Sequence, residues 1–500
     1  MDALSSQTQS QPKNSPCDLL DQSTWGGRAY SSSWCSVNAQ MDVINPGSGM
    51  TLGTVGLANA QEIHAAAAKA ASAHNNWREV SYEARAAVLR KAAAVAECHR
   101  QELVRWLIDE SGSVRAKAEF EVSVTIKCLW EASAMPSQAT GHMLPSEPGR
   151  LNIARRRPIG VVGVISPFNF PLYLAMRAVA PALAVGNAVV VKPDPRTAVS
   201  GGVAIARIFE LAGLPTDVLH MLPGGRDAGE ALCSDENVGM IQFTGSTAAG
   251  RAVGEMAGRH LKKVSLELGG KNSLIILDDA DLDLAVANAA WSVFLHQGQI
   301  CMSAGRLLVQ KGIAGEFTRR LTEKARSLPF GDAASEHVVL GPLINQQQAD
   351  NVARIVESSV REGAQLEVGG RAHGLFFEPT VLSEVQRGMT AFREETFGPI
   401  ASVCVFDDDQ EAVTLANDTE FGLSAGIISN SISRALKIGE QLRVGLLHIN
   451  DQTVNDEVVN PFGGVGASGN GSSIGGPANW EEFTQWQWVT VKSRAPAYPI

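Results

Sequence analysis

No two cysteines in this 500-residue chain are spaced as C-x-x-C. The seven, at positions 17, 35, 98, 128, 233, 301 and 404, are scattered and odd in number. That argues against a disulfide framework or a zinc site and for a reducing compartment. Basic residues are in deficit: 42 Lys and Arg against 52 Asp and Glu leave a net charge of -10. The chain therefore lacks the electrostatic footprint of a protein that binds nucleic acid or an anionic membrane surface. A phosphorylated cofactor is not excluded, since it needs only local backbone amides and a cation or two. Long apolar runs are missing as well. The most apolar region, 159–191, is interrupted by Pro167, Asn169, Pro171, Arg177, Pro181 and Asn187, so no membrane span is expected. The first sixteen residues are polar, rich in Ser and Gln and without an apolar core. They read as part of a disordered tail (1–24) rather than a signal peptide, and the expected location is the cytoplasm. There is no internal repeat and no low-complexity linker.

What is present is an ordinary globular composition, 45% hydrophobic and 19% charged, long enough for more than one core. A prior of roughly 150 residues per domain gives about two to four domains. Residues 61–77 are alanine-rich, and 82–111 carries Val88, Leu89, Ala92, Val95 and Ala96 at helical spacing. Both predict helices that pack on a later sheet. Short apolar runs at 160–165, 188–191, 218–222 and 240–243 alternate with helical stretches at 200–212 and 247–258. That alternation predicts parallel β-α-β units in an open, doubly wound sheet. A second α/β series is expected from near Val264, with strands at 273–277, 307–309 and 401–406 and helices at 284–293, 315–327 and 410–417. Residues 486–493 alternate in strand fashion with no neighbour nearby in sequence, and are expected to form an edge strand for another subunit.

Five places carry residues suited to chemistry. Cys301 lies in HQGQICMSAG, flanked by Gly298 and Gly305 and approached by Gln297 and Gln299. A lone cysteine is usually a small buried hydrophobe, but this setting suits an irregular loop where sulfur meets a ligand. A free thiol has a pKa near 8.5, so this one would need a base or helix N-terminus to act as a nucleophile at neutral pH. Glu267 sits inside an apolar strand before Gly269 and Gly270. It reads either as the exposed face of that strand or as a desolvated general base. Asn169, between Pro167 and Pro171, follows a strand at the end where open α/β sheets bind ligands. It either stabilises a turn or donates to developing negative charge. Lys192 ends a strand, and the run from Phe243 to Gly250 passes from strand to helix, where free N–H groups suit a phosphate. Neither is a Walker A loop or a G-x-G-x-x-G turn.

Together these motifs resemble the aldehyde dehydrogenase superfamily. PFNFP (167–171), VVKP (190–193), FTGS (243–246), LELGG (266–270), GQICM (298–302), EETFGP (394–399) and PFGG (461–464) occur in the family's order from about residue 25 onward. The resemblance implies an α/β fold of two doubly wound domains with a small β oligomerisation element. Its expected parts are 25–130 with 155–265 for NAD(P), 266–460 for catalysis, and 131–154 with 480–500 as oligomerisation strands. It makes Cys301 the nucleophile, Glu267 the general base, and Asn169 the side-chain half of an oxyanion hole completed by the Cys301 N–H. Lys192 would hold the adenosine ribose, and Ser246 the pyrophosphate. Glu395 and Phe397 would meet the nicotinamide ribose and ring, Gly225 and Gly229 would leave space beside the adenine, and Ser166, Phe168, Phe243 and Gly245 would complete the cofactor site. No metal is implied.

Two departures stand out. Pro195 replaces a Glu of many NAD-specific relatives, which leaves NADP open beside NAD. A relay Glu is missing from the glycine-rich stretch 469–476. Within the superfamily the chain is most similar to bacterial benzaldehyde dehydrogenases, through LYLAMRAVAPALAVGN, VVVKPDPRTAV, FLHQGQICM, HINDQ and GGPANWEEFTQ. The implied reaction oxidises an aromatic aldehyde to its acid. Phe170, Leu174, Ile300, Met302 and Phe462 would form the apolar slot. Arg177, also placed there, would either pair structurally or favour a phenolate or carboxylate. A semialdehyde or aliphatic aldehyde dehydrogenase, or an inactive structural member of the fold, are the alternatives. A homodimer or homotetramer is expected.

Overall fold

The computed structural model describes residues 18–499. The expected tail lies outside the described residues up to position 17, but its remainder is folded. Leu19 and Leu20 are buried, and Asp21 caps the short helix Gln22–Trp25.

The first large sheet runs, edge to edge, through Lys263–Glu267, Val238–Thr244, Val161–Ile165, Ala188–Lys192, Leu219–Met221, Arg28–Ser31 and Ser33–Ser36. Its five later strands are all parallel. Counted in chain order they lie 5-4-1-2-3, so the winding direction reverses between Val161–Ile165 and Val238–Thr244. The carboxyl ends of strands at such a reversal open a crevice in doubly wound sheets. Val264, expected to begin the second series, belongs instead to the edge strand of this first sheet.

Helix Ala60–Trp77 opens with a capping box between Asn59 and Glu62. Its Ile63, Ala66, Ala67 and Ala70 face Val161, Ala188 and Val190, the small side chains letting the helix lie close on the sheet. The stretch predicted as one helix over 82–111 is two, Tyr82–Cys98 and Arg100–Ser111, because His99 leaves helical geometry at φ -102°, ψ 18°. The first of these packs mainly on helices Arg115–Ala134 and Ala204–Ala212 rather than on strands.

The second sheet runs through Gln365–Val368, Thr380–Ser383, Ile400–Phe406, Ala304–Gln310, Asn272–Ile276, Ser424–Ile428 and Leu446–Ile449. All its pairings are parallel except the outermost, Gln365–Val368 with Thr380–Ser383. The third is antiparallel: Thr484–Lys492, Arg150–Pro158 and Gly141–Leu144. The late strand thus has a partner within its own chain, Trp488 lying opposite Ala154. Residues 131–137, expected as strand, instead finish helix Arg115–Ala134 and form the turn Met135–Ser137. Among the described residues no helix is long and apolar enough to cross a membrane.

Candidate active site

The crevice at the reversal point is a cavity of about 930 Å³ between the first two sheets. That is the upper end of the roughly 300–1,000 Å³ typical of small-molecule sites. Its floor is the segment between strand Val161–Ile165 and helix Pro171–Ala184, where Ser166, Phe168 and Asn169 all line the space. Lys192, at the end of the next strand, is buried and donates from Nζ to the Gly224 carbonyl at 2.9 Å. Burial lowers its pKa, with Asp194 opposing. Gly225 caps helix Arg226–Ser234, and Gly229 turns its bare Cα toward the Lys192 stem, 3.6 Å from where a Cβ would stand. Phe243, Gly245 and Ser246 close another wall, and Ser246 caps helix Thr247–Arg259 by accepting from the Ala249 N–H at 3.3 Å.

Glu395 and Phe397 enter from the second sheet. The glycine pair after Glu267 is there because these groups come so close. A Cβ on Gly269 would sit 2.3 Å from Glu395 Oε2, and one on Gly270 would sit 2.6 Å from the Cys301 carbonyl oxygen. Gly270 N–H donates to Glu395 Oε1 at 3.0 Å, yet burial still raises that carboxyl to about 7. Phe397 holds a left-handed φ of 49°, and its ring meets Phe168 edge-on at 5.8 Å. Gln348 fixes this loop by donating to the Thr396 and Phe397 carbonyls. These walls fit a dinucleotide: amides and a caught lysine at one end, an aromatic ring and a carboxylate at the other. The Ser166 hydroxyl is buried at the wall with no hydrogen-bond partner among the described residues, as expected of a group reserved for a ligand.

Cys301 stands where this cavity meets an apolar cluster of Phe170, Ile300, Met302, Leu423 and Phe462, with Leu174 packed against it. Its loop follows three successive left-handed residues, His296, Gln297 and Gly298 at φ 49°, 55° and 70°. Gln297 and Gln299 do not serve the sulfur. Gln297 donates to the Gly112 and Pro342 carbonyls, and Gln299 accepts from Ile344 N–H, so both pin the loop. Asn272 holds the Cys301 carbonyl at 2.8 Å. Asn169 Nδ2 donates to the Gln299 carbonyl at 2.8 Å, which leaves its second N–H without a partner among the described residues.

Glu267 is buried, and neither carboxylate oxygen has a hydrogen-bond partner among the described residues. Burial raises its pKa well above the carboxylate range against the pull of Arg177. Burial, with Glu395 and Glu267 nearby, likewise raises the Cys301 thiol. Arg177 lies against the Phe462 side of the apolar cluster, with its charge already paired. Its guanidinium pairs with Asp456, donates to Tyr173 Oη and the Ile474 carbonyl, and covers the Phe462 ring at 4.9 Å. No local sequence signal marks Asn272 or Gln348, whose partners are backbone carbonyls 29 to 49 residues away.

The fold and this arrangement define a cysteine-bearing, dinucleotide-type oxidoreductase, and the sequence model of the Aldehyde dehydrogenase family matches residues 34–489. The chain belongs to that family. It is 52% identical over 484 residues to a vanillin dehydrogenase from an Amycolatopsis species, covering 96% of this chain and all of that one. It is 46% identical over 485 residues to a benzaldehyde dehydrogenase [NAD(+)] from Pseudomonas putida, covering 97% of this chain and all of the other. Among solved structures, an NADP-dependent enzyme from E. coli superposes with a TM-score of 0.92 at 34% identity, over 95% of this chain and 100% of that one.

Proposed function

We propose that the protein oxidises an aromatic aldehyde to its carboxylic acid with NAD, using Cys301 as a covalent nucleophile. The observation that carries this is the position of Cys301, facing a dinucleotide-sized cavity on one side and an apolar cluster of flat and branched side chains on the other. The names of the two similar proteins, one acting on vanillin and one on benzaldehyde, support the aromatic class.

In this reading the Cys301 sulfur attacks the aldehyde carbonyl as its proton passes to a base. The free N–H of Asn169 and the Cys301 backbone N–H then stabilise the alkoxide oxygen. Bound NAD supplies a hydride acceptor, and what remains on Cys301 is a thioester. Glu267, as its carboxylate, takes a proton from water, the hydroxide adds to the thioester carbonyl, and the acid leaves with restoration of the thiol. Glu395 and Lys192 would hold the two riboses of the cofactor, and Ser246 its pyrophosphate. The first sheet then forms the cofactor-binding part, and the second sheet the catalytic part.

NADP is the second reading. Beside Lys192 the cavity wall carries Asp194, Pro195, Arg196 and Arg226. The Asp194 carboxylate is held by Arg196 at 2.8 and 2.6 Å, so it offers little repulsion to a 2′-phosphate. The open edge of the antiparallel sheet, with Met143, Trp486 and Trp488 exposed, supports a homodimer or homotetramer. The six described cysteines are free, which supports a reducing cytoplasm.

Turnover of benzaldehyde, hydroxy- and methoxy-benzaldehydes, short aliphatic aldehydes and succinic semialdehyde, each with NAD and NADP, tests the proposal. Higher kcat/KM for the aromatic set is expected. A preference for the aliphatic or semialdehyde substrates contradicts it.

A further inference from the structure

A fully buried ion pair lies directly beneath the segment that carries Asn169. Lys117 and Glu121 are one turn apart on helix Arg115–Ala134, and neither side chain is exposed to solvent. Burying two charges is costly unless every polar valence is met, and here all are. Lys117 Nζ donates to Glu121 Oε2 at 2.5 Å and to the Asn169 carbonyl at 2.6 Å, and it lies 4.1 Å from the centre of the Phe170 ring. Glu121 Oε1 accepts from the Leu172 and Tyr173 N–H groups at 2.9 and 3.2 Å. Those are first-turn amides of helix Pro171–Ala184, for which Phe170 provides no side-chain cap. The pair therefore grips the chain on both sides of Pro171.

The partner across the site cannot adapt easily. The Cys301 loop is fixed by three consecutive left-handed residues and by Gln297, Gln299 and Asn272. His296, the first of the three, sets its ring edge-on to Phe170 at 5.9 Å. With that side rigid, the register between the Asn169 amide and the Cys301 sulfur is set at two points: the Gln299 carbonyl accepts from Asn169 Nδ2 at 2.8 Å, and the Lys117 ammonium holds the Asn169 peptide carbonyl at 2.6 Å.

We infer that Lys117, clamped by Glu121, is a positioning residue that aims the Asn169 amide at the oxygen of the reacting carbonyl. It touches neither substrate nor cofactor and acts through the Asn169 carbonyl. The inference rests on the role of Asn169 proposed above. A polar clamp at this depth also explains why a helix otherwise packed among apolar residues keeps two charges in its core-facing side.

The test is a mutant cycle in the full-length enzyme. Lys117→Met with Glu121→Gln removes both charges and keeps an acceptor for the Leu172 and Tyr173 amides. The expected result is a kcat about 100-fold lower, the order of loss caused by a small misplacement of a reacting group. NAD affinity, read by quenching of protein fluorescence, should stay within about threefold, which checks the fold independently of turnover. In an Asn169→Ala background the same pair of changes should cost less than about threefold more, because residues acting through one another are not additive. Unchanged kcat in the Asn169 enzyme, or a full further 100-fold loss in the Asn169→Ala enzyme, overturns the inference. Should the double variant not fold, Lys117→Met alone, which removes the donor to the Asn169 carbonyl, is read in the same cycle with the same two outcomes. Full activity in Asn169→Ala alone would strike the proposed role of Asn169 instead.

Discussion

The guanidinium of Arg177 is paired with the carboxylate of Asp456 in a site almost closed to solvent, beside the Phe462 ring. A charge already matched this way does not serve a substrate carboxylate, which weighs against a semialdehyde. Breaking a buried pair by removing one partner costs about 3–5 kcal/mol, since the other charge is left unpaired. Arg177→Met is expected to lower thermal stability by that order in unfolding measurements. The ratio of benzaldehyde to succinic semialdehyde turnover should stay the same. Selective loss of semialdehyde turnover would assign Arg177 to substrate binding.

Glu267 leads to a prediction about pH. Burial raises its pKa, so the carboxylate proposed to accept a proton from water forms only as pH rises above the ordinary carboxylate range. The acid limb of kcat should therefore lie above pH of about 4.5 and rise with pH. Glu267→Gln should remove that limb and slow steady turnover by about 10²- to 10⁴-fold, the usual contribution of a general base. A rapid burst of reduced cofactor should survive in stopped-flow traces, because the thioester still forms.

The role proposed for Glu395 is in binding rather than in turnover. Its carboxyl is raised to about 7 by burial, against the pull of the Gly270 N–H and Lys271. The proposed ribose contact needs the ionised acceptor, which is present above that pKa and lost as pH falls through it. NAD affinity measured by fluorescence titration should weaken about tenfold from roughly pH 8 to pH 6. Glu395→Gln should bind more weakly at pH 8 and show a flat profile.

Local pattern and local motif made part of this molecule legible in its sequence. The strands and helices of the first sheet from Val161 to Thr244 follow their alternating texture, and the motif at each strand end lies on the cavity wall. The glycine pair at 269–270 marks a close approach by Glu395 and the Cys301 backbone. Long-range pairing stayed hidden: strand Thr484–Lys492 finds Arg150–Pro158 more than 300 residues away. Helix Arg115–Ala134 gave no clear amphipathic signal because Lys117, Glu121 and Thr125 are buried among its apolar residues. That same mixture hid the clamp on Asn169, since a buried lysine and glutamate look like any solvated pair until their partners are seen. The pairing of Arg177 was open for the same reason, Asp456 being 279 residues away.

The central claim is that Cys301 carries the acyl group. Its most direct test is intact-protein mass spectrometry after acid quenching of enzyme mixed with benzaldehyde and NAD, run beside Cys301→Ala. The expected result is a benzoyl-mass adduct on the intact chain, which digestion of the quenched protein assigns to the peptide containing Cys301, and in Cys301→Ala neither adduct nor aldehyde-dependent NADH. NADH formation by Cys301→Ala at the rate of the unaltered enzyme would contradict it.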